Sequence, residues 1–494
     1  MSYDLVIYGG TSAGIAAAVQ AIRMGLVPVV VEPSDRIGGL TTGGLGDTDA
    51  GNKEAIGGLS LEFYTQLGQQ YGMSQPVWMF EPSRASAVFR EWVERYGIQV
   101  LYKERLDLAN GVEKNDGNQL VSIRMESGLV ISGRMFMDTS YEGDLMKLAG
   151  VSYTVGREAN REYGETFNGI QTRQAMYHQL PAGIDPYRVA GDPSSGLLPG
   201  VHPSPGGSDG EGDERIQAYC YRMCLTDDPD NRLPIEQPPG YDEDEYELLF
   251  RAIERGLDRF FKLRMLPNRK TDSNNDKGFS TDYIGRNYSY PEAGYEERAR
   301  IAAAHKTYQK GLVWTLQHHP RVPVDIRAFY REWGLPRDEF VEYGHWTPQL
   351  YIRESRRMLG DVVMNENHIY RRLSVVDSVG LGSYWMDSHH TQRYVGPNGD
   401  VVNEGDVQVQ VSEPYPISYR SIVPRESECA NLFVPVCLSA SHIAYGSIRM
   451  EPVFMVLGQS AATAAALALE AGVSVQRVDY AFLRRRLLED GQRL

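Results

Sequence analysis

The sequence predicts an α/β fold in two lobes, and three features lead to this prediction. Residues 4–32 have the pattern of a strand, a glycine-rich turn, a helix and a second strand. Residues 431–469 repeat the order of strand, turn and helix near the C-terminus. The long region between them has a different character and includes a stretch crowded with Pro and Gly at residues 181–213. A chain of 494 residues is long enough to form two or more lobes around a large core.

The N-terminal turn has the residue pattern of a dinucleotide-binding βαβ unit. Gly9 permits a tight turn, Gly14 allows close packing of helix on strand, and Glu32 can accept hydrogen bonds from a ribose hydroxyl. Thr11 occupies the middle position, where the pattern has glycine, so a structural turn in an unrelated α/β protein is the alternative. We expect a pyrophosphate at the helix N-terminus, where free amides and the helix dipole favour an anion. The predicted nucleotide contacts in this unit are Gly9, Thr11, Ser12, Ala13, Gly14, Glu32 and Pro33.

A second glycine-rich run follows Glu32. Arg36 precedes two glycine doublets, at residues 38–39 and 43–44, which bring the backbone close to another bulky group. A domain that binds only a nicotinamide nucleotide has no need of this run, and Arg36 offers charge to a phosphate. The run resembles the R-x-G-G element that helps to hold FAD in flavoproteins with two dinucleotide-binding domains. The predicted cofactor contacts here are Arg36, Gly38, Gly39 and Leu40.

The C-terminal unit predicts a return of the chain to the same domain. A strand within residues 431–436 leads into a polar turn, and Pro452 is suited to the first turn of the helix that follows. Small residues such as Gly458 let this helix pack closely on a neighbour, although an Ala-rich core helix has the same composition. In FAD proteins of this architecture, the N-terminus of such a helix stabilises negative charge on the reduced flavin. Further predicted cofactor contacts are Thr139, Ser441 and Gly458.

Together these motifs resemble one family nearly end to end. This is the FAD-dependent oxidoreductase family, in a broader group with heterodisulfide reductase-like flavoproteins; some members are labelled putative xanthan lyase. The resemblance rests on residues 9–14, 32–39, 138–144, 350–357 and 439–458. It implies FAD and a Rossmann-like, glutathione-reductase-like FAD-binding domain with an inserted α+β substrate or cap domain. The iron–sulfur cysteines of the heterodisulfide reductases are missing, which argues against cluster-linked electron transfer.

The domain boundaries follow from these motifs. We predict that residues 1–150 form the first part of the FAD-binding domain and that residues 406–494 form its C-terminal return. Residues 151–405 are predicted to form the substrate or cap domain.

Composition and charge exclude some classes of binding partner and indicate a cellular location. With 50 basic and 65 acidic residues, the net charge of -15 argues against nucleic acid or an anionic membrane as the main partner. The N-terminus enters a strand without the features of a secretory signal, so a cytoplasmic location is expected. The apolar residues 452–469 include polar positions and predict a buried helix rather than a membrane span. Four cysteines are too few for a disulfide framework, and buried thiols are expected.

Residues 350–359 in the middle domain have the pattern of a strand. A period of two places on one face Tyr351, Arg353, Ser355 and Arg357. Arg353 and Arg357 are candidates to hold a substrate carboxylate, a phosphate or a developing oxyanion. The alternative is an ionic network with Glu354 and Glu366 that connects the domains.

A second polar stretch lies at residues 268–275 and alternates its hydrogen-bonding side chains if it is extended. Such a ladder can bind hydroxyl-rich ligands, although a solvated loop has the same composition. Lys270 and Asp272 are the candidate substrate contacts in this stretch.

The proton acceptor is expected in one of two histidine-containing segments. His442 precedes the predicted flavin-facing helix and is followed by Arg449, whereas Asp387 and His389 lie in the middle domain. Histidine titrates near neutrality and suits a base that removes a proton while a hydride leaves for flavin N5; a structural hydrogen bond is the alternative for a lone histidine. No metal site is predicted, because the adjacent histidine pairs lack the spacing of metal-ligand motifs.

The sequence therefore predicts an FAD enzyme that transfers a hydride between flavin and a small polar substrate, hydroxyl-bearing or sugar-like. The predicted base is His442, with Arg449, Arg353 and Arg357 as electrostatic partners. One alternative is a reductase that takes its hydride from NADH or NADPH, although no second nucleotide-binding motif follows the first. Another is a saccharide lyase or hydrolase in which FAD is structural or oxidises the substrate only transiently. The electron acceptor and the oligomeric state stay open.

Overall fold

The computed structural model describes residues 2–494, which form a mixed α/β structure. The strands are β1 (Ser2–Tyr8), β2 (Pro28–Glu32), β3 (Gln99–Tyr102), β4 (Val112–Lys114), β5 (Leu120–Arg124), β6 (Val130–Asp138), β7 (Tyr153–Thr154), β8 (Val201–His202), β9 (Cys220–Tyr221), β10 (Arg232–Leu233), β11 (Arg264–Leu266), β12 (Lys270–Asp272), β13 (Leu335–Pro336), β14 (Leu350–Tyr351), β15 (Arg357–Met358), β16 (Ser378–Gly382), β17 (Met386–Ser388), β18 (Gln392–Val395), β19 (Val401–Glu404), β20 (Val407–Val409), β21 (Tyr415–Ser418) and β22 (Leu432–Phe433). The helices are α1 (Ser12–Arg23), α2 (Gly39–Thr42), α3 (Gly58–Gln70), α4 (Pro82–Tyr96), α5 (Asp144–Leu148), α6 (Asn160–Tyr163), α7 (Glu247–Glu254), α8 (Tyr295–His318), α9 (Val324–Arg331), α10 (Glu366–Ile369), α11 (His442–Ile448), α12 (Glu451–Ala471) and α13 (Tyr480–Glu489).

The main sheet has seven strands, and its parallel part runs in the order β3-β2-β1-β6-β22. The N-terminal end of β6 also pairs with the antiparallel strand β5, which in turn pairs with β4. In register, Leu5 lies opposite Pro28 on one side and Met135 on the other. Because the strands are parallel, the segments that follow β1, β2 and β6 meet at one edge of the sheet, where open α/β sheets bind ligands. This order confirms the predicted N-terminal βαβ unit and the return of the chain at β22.

Helices α1 and α12 pack directly against each other beside this sheet. Both helices are rich in alanine on their buried surfaces. A Cβ atom added to Gly458 would lie only 2.4 Å from the carbonyl oxygen of Ala13, so no larger residue fits at this crossing. The predicted close packing of the C-terminal helix is therefore confirmed, and it joins the two ends of the chain.

Helix α12 is long and apolar enough to cross a membrane by length and composition. However, 89% of its most apolar window is buried inside the fold. Its apolar surface therefore contributes to the protein core, as the sequence predicts.

The middle of the chain consists of small antiparallel pairs and a few helices. These pairs include β11 with β12, β16 with β21 and β17 with β20. Residues 181–213, the stretch crowded with Pro and Gly, contain only β8 and a single 3-10 turn as regular structure. The longest helix of this region is α8.

Residues 350–359 do not form the continuous strand that the sequence predicts. Only β14 and β15 are strands, and they pair with different partners, β9 and β7. The intervening residues carry buried charged side chains that bond to several separate elements. Arg353, for example, donates to the carbonyl of Ala218, whereas Arg356 pairs with Asp144. Because residues 350–359 do not form one strand, the prediction that Arg353 and Arg357 share one face of a strand is wrong.

The polar stretch at residues 268–275 is extended only in part. Asn268 and Arg269 adopt left-handed backbone conformations, with φ of 59° and 56°, and break the alternation. Strand β12 then follows. The predicted ladder is therefore correct only from Lys270 onward.

All four cysteines are free and buried, as the sequence predicts; they are Cys220, Cys224, Cys429 and Cys437. Burial raises the pKa of the Cys220 thiol to about 11, so this thiol is neutral near pH 7. No group of three or more potential metal ligands occurs within residues 2–494.

Candidate active site

The turn after β1 is built by two glycines and a capping threonine. Gly9 has a φ of 103°, and a Cβ atom on Gly14 would lie 2.1 Å from the carbonyl oxygen of Gly9. Thr11 is the N-cap of α1 and accepts a hydrogen bond from the amide of Gly14 at 3.3 Å. Thr11 Oγ1 also donates to the carbonyl oxygen of Thr139 at 2.8 Å. The residue that departs from the glycine pattern therefore caps the helix and fixes the turn to the segment after β6.

The first turn of α1 is suited to an anion. The amides of Ser12 and Ala13 have no hydrogen-bond acceptor among the described residues, since the first intrahelical bond runs from Ile15 to Thr11. Free amides at a helix N-terminus bind phosphate groups. Glu32 lies nearby, with its carboxylate accepting from the amides of Gly10 at 2.6 Å and Ser34 at 2.7 Å. These donors and this acid fit the pyrophosphate and ribose of a dinucleotide such as FAD.

The R-x-G-G segment is held by side chains from other parts of the chain. Arg36 donates to Thr42 Oγ1 at 2.8 Å and lies over the rings of Phe340 and Tyr343. The amide of Leu40 donates to the hydroxyl of Tyr141 at 2.8 Å. In this segment the half-buried Pro33 directly follows Glu32, and the glycines with positive φ are Gly38 and Gly39.

A buried acid at the start of α12 ties these motifs together. The Glu451 carboxylate accepts hydrogen bonds from the hydroxyls of Ser12 at 2.6 Å, Thr41 at 2.7 Å and Tyr141 at 2.7 Å. Burial raises the pKa of Glu451, and the three hydroxyl donors oppose this shift. Sequence reasoning missed Glu451, although its place one residue before Pro452 at the predicted helix start was a usable signal.

The remaining predicted cofactor contacts, Thr139, Ser441 and Gly458, bond to or pack against other parts of the protein. Thr139 Oγ1 donates to the carbonyl of Tyr8 at 3.0 Å and so fixes the turn after β1. Ser441 caps α11 and donates to Glu165 at 2.6 Å. Together with Gly458, these residues lie in supporting packing positions; their predicted contact with FAD stays a prediction.

A polar cavity of about 280 Å³ lies beside the cofactor motifs. Its lining residues are Asp47, Asp49, His178, Arg222, Lys262, Arg264, Asn274, Asn275, Tyr351, Tyr384, Asp387, His389, Gln408 and Arg449. Asp47 and Asp49 follow the second glycine doublet, and Arg449 lies two residues before the start of α12. The cavity wall is therefore formed by three parts of the chain: the segment after the second glycine doublet, the segment before α12, and the middle of the chain.

Three guanidinium groups surround the ring of Tyr351, two of them on the cavity lining and that of Arg353 behind it. The distances from the guanidinium carbon to the ring centroid are 5.9 Å for Arg222, 4.8 Å for Arg353 and 5.6 Å for Arg449. Arg449 also donates to the Tyr351 hydroxyl at 2.7 Å, and its Nε has no hydrogen-bond partner in the described part of the chain. The cluster can therefore bind an oxygen atom that carries negative charge.

His389 is oriented by a buried carboxylate. Its Nδ1 lies 2.7 Å from Asp282, which also pairs with Arg353 at 3.0 Å. Burial would raise the pKa of Asp282, but the charge of Arg353 and the contact with His389 hold that pKa well below its usual range. Burial, aided by the charge of Arg353, lowers the pKa of His389. With Nδ1 directed at Asp282, a neutral imidazole presents the Nε2 lone pair towards Asp387, 3.8 Å away at the cavity wall.

Asp49 is the most strongly perturbed carboxyl group on the cavity wall. Burial raises its pKa to about 6, opposed by Arg222 and increased further by Asp47 and Asp387. The Arg222 guanidinium lies 4.0 Å away, with its two other nitrogens bonded to Asp272. Asp49 was not a sequence candidate. Its place soon after the glycine doublets was the only available signal.

The structure places the two sequence candidates of β12 outside the cavity lining. Lys270 is buried and pairs with Glu81 at 2.6 Å and Glu339 at 2.9 Å. Asp272 holds Arg222 and accepts hydrogen bonds from the amides of Gly46 and Asp47, each at 2.9 Å. Asp272 therefore fixes the loop that carries the cavity acids, whereas Lys270 belongs to a separate buried ionic cluster.

His442 and Arg357 also lie away from the cavity. His442 Nδ1 is 2.8 Å from Glu354, and Arg357 pairs with Glu354 and Glu158 at 3.1 Å and 2.7 Å. Glu354 is thus part of an ionic network, as the alternative to substrate binding predicted, but its second acid is Glu158, whereas Glu366 pairs with Arg372 at 3.3 Å. The structure brings together on the cavity lining only Asp387, His389 and Arg449 among the candidates, with Arg353 directly behind them.

The sequence matches a family described as FAD dependent oxidoreductase, and the match spans residues 4–487. A search of curated proteins finds no match.

Each of the similar solved structures aligns with only part of this chain. A steroid monooxygenase bound to NADP is 17% identical with a TM-score of 0.22, covering 28% of this chain and 26% of its own. The L-amino acid deaminase from Proteus vulgaris is 12% identical with a TM-score of 0.25, covering 32% and 53%. A flavocytochrome c3 fumarate reductase is 13% identical with a TM-score of 0.24, covering 32% and 43%. The chain thus spans between about a quarter and a half of these structures. On the strength of the family match over nearly its whole length, this chain belongs to the FAD dependent oxidoreductase family, and its cofactor is FAD.

Proposed function

We propose that this enzyme oxidises a small polar substrate at a hydroxyl-bearing carbon within the cavity. The observation that carries the proposal is the composition of the cavity wall. Asp49 and Arg449 adjoin the two cofactor motifs, and His389 comes from the middle of the chain with a carboxylate behind it. A substrate hydroxyl group bound in the cavity would contact His389 as its base. The same hydroxyl group would lie beside Asp49 and Arg449, which adjoin the cofactor motifs.

FAD supplies a hydride acceptor when it is bound. The residues that would hold it are Ser12 and Ala13 through their free amides, Glu32, and the R-x-G-G segment at residues 36–39. Glu451 and Tyr141 fix these segments to one another from the start of α12.

His389 is the proposed proton acceptor in place of His442. As the hydroxyl-bearing carbon loses its hydride, the hydroxyl proton passes to Nε2 of His389 and a carbonyl forms. The lowered pKa keeps the imidazole neutral near pH 7, so Nε2 is ready to accept a proton. Asp282 orients the ring and stabilises the imidazolium that results.

Arg449 and Tyr351 are the proposed binding groups for the reacting oxygen. Arg449 is nearly fully buried, with 2% of its side chain exposed, so its charge is weakly screened by water. Its remaining contacts are to the Asp387 carbonyl oxygen at 3.1 Å, the Asp387 carboxylate at 3.7 Å and Gln217 at 3.3 Å, and these contacts fix its orientation. The guanidinium therefore stays in place while the hydroxyl oxygen gains negative charge during proton loss.

The cavity lining also indicates the kind of partner. Alternating acids, amides and cations offer both donors and acceptors, as a ligand with several hydroxyl groups requires. A small polar molecule is therefore the proposed partner, and residues 151–405 are the proposed substrate lobe. A cytoplasmic location remains part of this proposal.

The proposal is tested by anaerobic absorbance scans of the purified yellow protein. The panel contains sugars, polyols, hydroxy acids, NADH and NADPH. Bleaching of the flavin by a hydroxyl-bearing compound, with slower bleaching when deuterium replaces the transferred hydrogen, is the expected result. Bleaching by NADH or NADPH alone would contradict the proposal in favour of a reductase, and product formation without any electron acceptor would favour a lyase or hydrolase.

A further inference from the structure

The cavity has a buried floor and an exposed mouth. On the floor, 2% of the Arg449 side chain and 9% of the His389 side chain are exposed. Towards the mouth, the exposed fraction rises to 16% for His178, and Lys262 and Arg264 are exposed. The proposed reaction uses the floor and leaves the residues of the mouth without a role.

His178 is held in an unusual conformation. Its φ is 50°, a left-handed value that costs energy for a residue with a Cβ atom. Its Nδ1 is 2.7 Å from Asp406, and its carbonyl accepts from Asn403 at 3.0 Å and from His390 at 3.1 Å. These contacts fix the ring at the cavity wall, with Nε2 left available.

The mouth of the cavity carries basic side chains, and one of them, Lys262, has no acidic partner among the described residues. Burial would lower the pKa of His178, but the hydrogen bond and charge of Asp406 outweigh burial and raise it. Lys262 lies close enough to His178 to oppose this rise by like-charge repulsion. Arg264 pairs with Asp47 at 2.8 Å, whereas none of the ion pairs within residues 2–494 includes Lys262. An anion between His178 and Lys262 would relieve their repulsion and complete the charge balance of the mouth.

We propose that His178 and Lys262 form a subsite for the carboxylate of the substrate, so that the enzyme acts on hydroxy acids in preference to neutral polyols. This inference rests on the proposed function, because it assigns the second end of the same substrate. The hydroxyl-bearing carbon lies at the floor near His389, and the carboxylate lies at the mouth. Gln408, which also lines the cavity, donates to Asp406 at 3.0 Å and fixes the acid that holds His178.

Matched pairs of compounds that differ in a carboxylate test the subsite. The pairs are glucuronate and glucose, gluconate and glucitol, and glycerate and glycerol. Thermal unfolding of the dithionite-reduced holoenzyme under anaerobic conditions measures binding without turnover, because reduced flavin accepts no hydride and a ligand that binds only the folded state raises its stability. At least one acid is expected to raise the melting temperature more than its neutral partner.

Two variants and a control locate the effect. Lys262→Gln removes the free charge, and His178→Asn removes the imidazole with a residue that tolerates positive φ. Each is expected to weaken the affinity for the acid roughly tenfold and to leave the neutral partner unchanged. Lys306→Gln, on α8 outside the cavity lining, is expected to change neither.

The outcomes separate this inference from the proposed function. Stabilisation by neutral members alone, equal stabilisation within every pair, or no stabilisation by any acid would overturn the subsite. Flavin bleaching by a neutral polyol at least as fast as by its matched acid, with both rates unchanged in the two variants, would overturn the subsite while the proposed oxidation stands. Acid binding that both variants lose, in a protein whose flavin no hydroxy compound bleaches, would support the subsite and contradict the oxidation.

Discussion

The cofactor region and the cavity of this protein are built in different ways. The cofactor region depends on backbone geometry within short stretches, above all residues 9–14 and 36–40, where glycines allow close approaches. The cavity depends on side chains that come from distant parts of the chain, from Asp47 to Arg449. A backbone motif leaves a local pattern in the sequence, whereas a cavity assembled from distant side chains leaves almost none.

The largest expected effect comes from the cofactor region. Gly14→Val places a side chain where even a Cβ atom would lie 2.1 Å from the Gly9 carbonyl oxygen. We expect the turn to open and the purified protein to lose its flavin, measured as the ratio of flavin to protein absorbance. Gly294→Ala is the control, since nothing lies within 4 Å of the added atom. A yellow Gly14→Val protein would contradict the assignment of this turn.

The second prediction compares the two histidines. His389→Gln is expected to slow flavin reduction by the substrate about 10²–10⁴-fold, the usual contribution of a general base. His442→Gln, outside the cavity lining and beside Glu354, is expected to change this rate far less and to lower stability instead. Rapid mixing under anaerobic conditions measures both rates. A larger rate loss in the His442 variant would restore His442 as the base.

The third prediction concerns a candidate that the structure places outside the cavity lining. Lys270→Met leaves Glu81 and Glu339 buried without their shared cation, which is expected to cost about 3–5 kcal/mol of the free energy of unfolding. Denaturant titration measures the loss, and Lys306→Met is the control. The flavin reduction rate of the folded variant is expected to stay the same. A normal stability with impaired substrate binding would instead support the sequence-based role of Lys270 as a substrate contact.

The smallest predicted effect is the pH dependence of Asp49. Its pKa rises from 3.8 in the unfolded chain to about 6 when folded, so stability falls as pH rises from about 4 to 6. The full shift corresponds to about 3 kcal/mol, but 36% of the side chain is exposed, and screening by water reduces the expected loss to about 1 kcal/mol. Asp49→Asn is expected to be more stable than the parent protein above pH 6 and equally stable at pH 4. Equal pH profiles of unfolding would contradict the perturbed carboxyl group.

How much of each region could be predicted from the sequence depends on whether its contacts are local or join distant residues. The parallel strands around β1, the turn at Gly9 and the helix at Pro452 were predictable because each depends on local residue patterns. The pairing of Asp282 with His389 joins residues 107 positions apart and has no local pattern. His442 was favoured because it is close in sequence to α12, but its side chain is bound by Glu354 in a buried network. Position along the chain did not reveal which way the imidazole points.

The most direct test of this account is an experimental structure of the holoenzyme with the substrate, or its product, that bleaches the flavin. We predict that the reacting oxygen lies within hydrogen-bonding distance of His389 Nε2 and of the Arg449 guanidinium, on the wall shared with Asp49. A ligand bound beside His442, or outside the cavity altogether, would contradict the proposed active site.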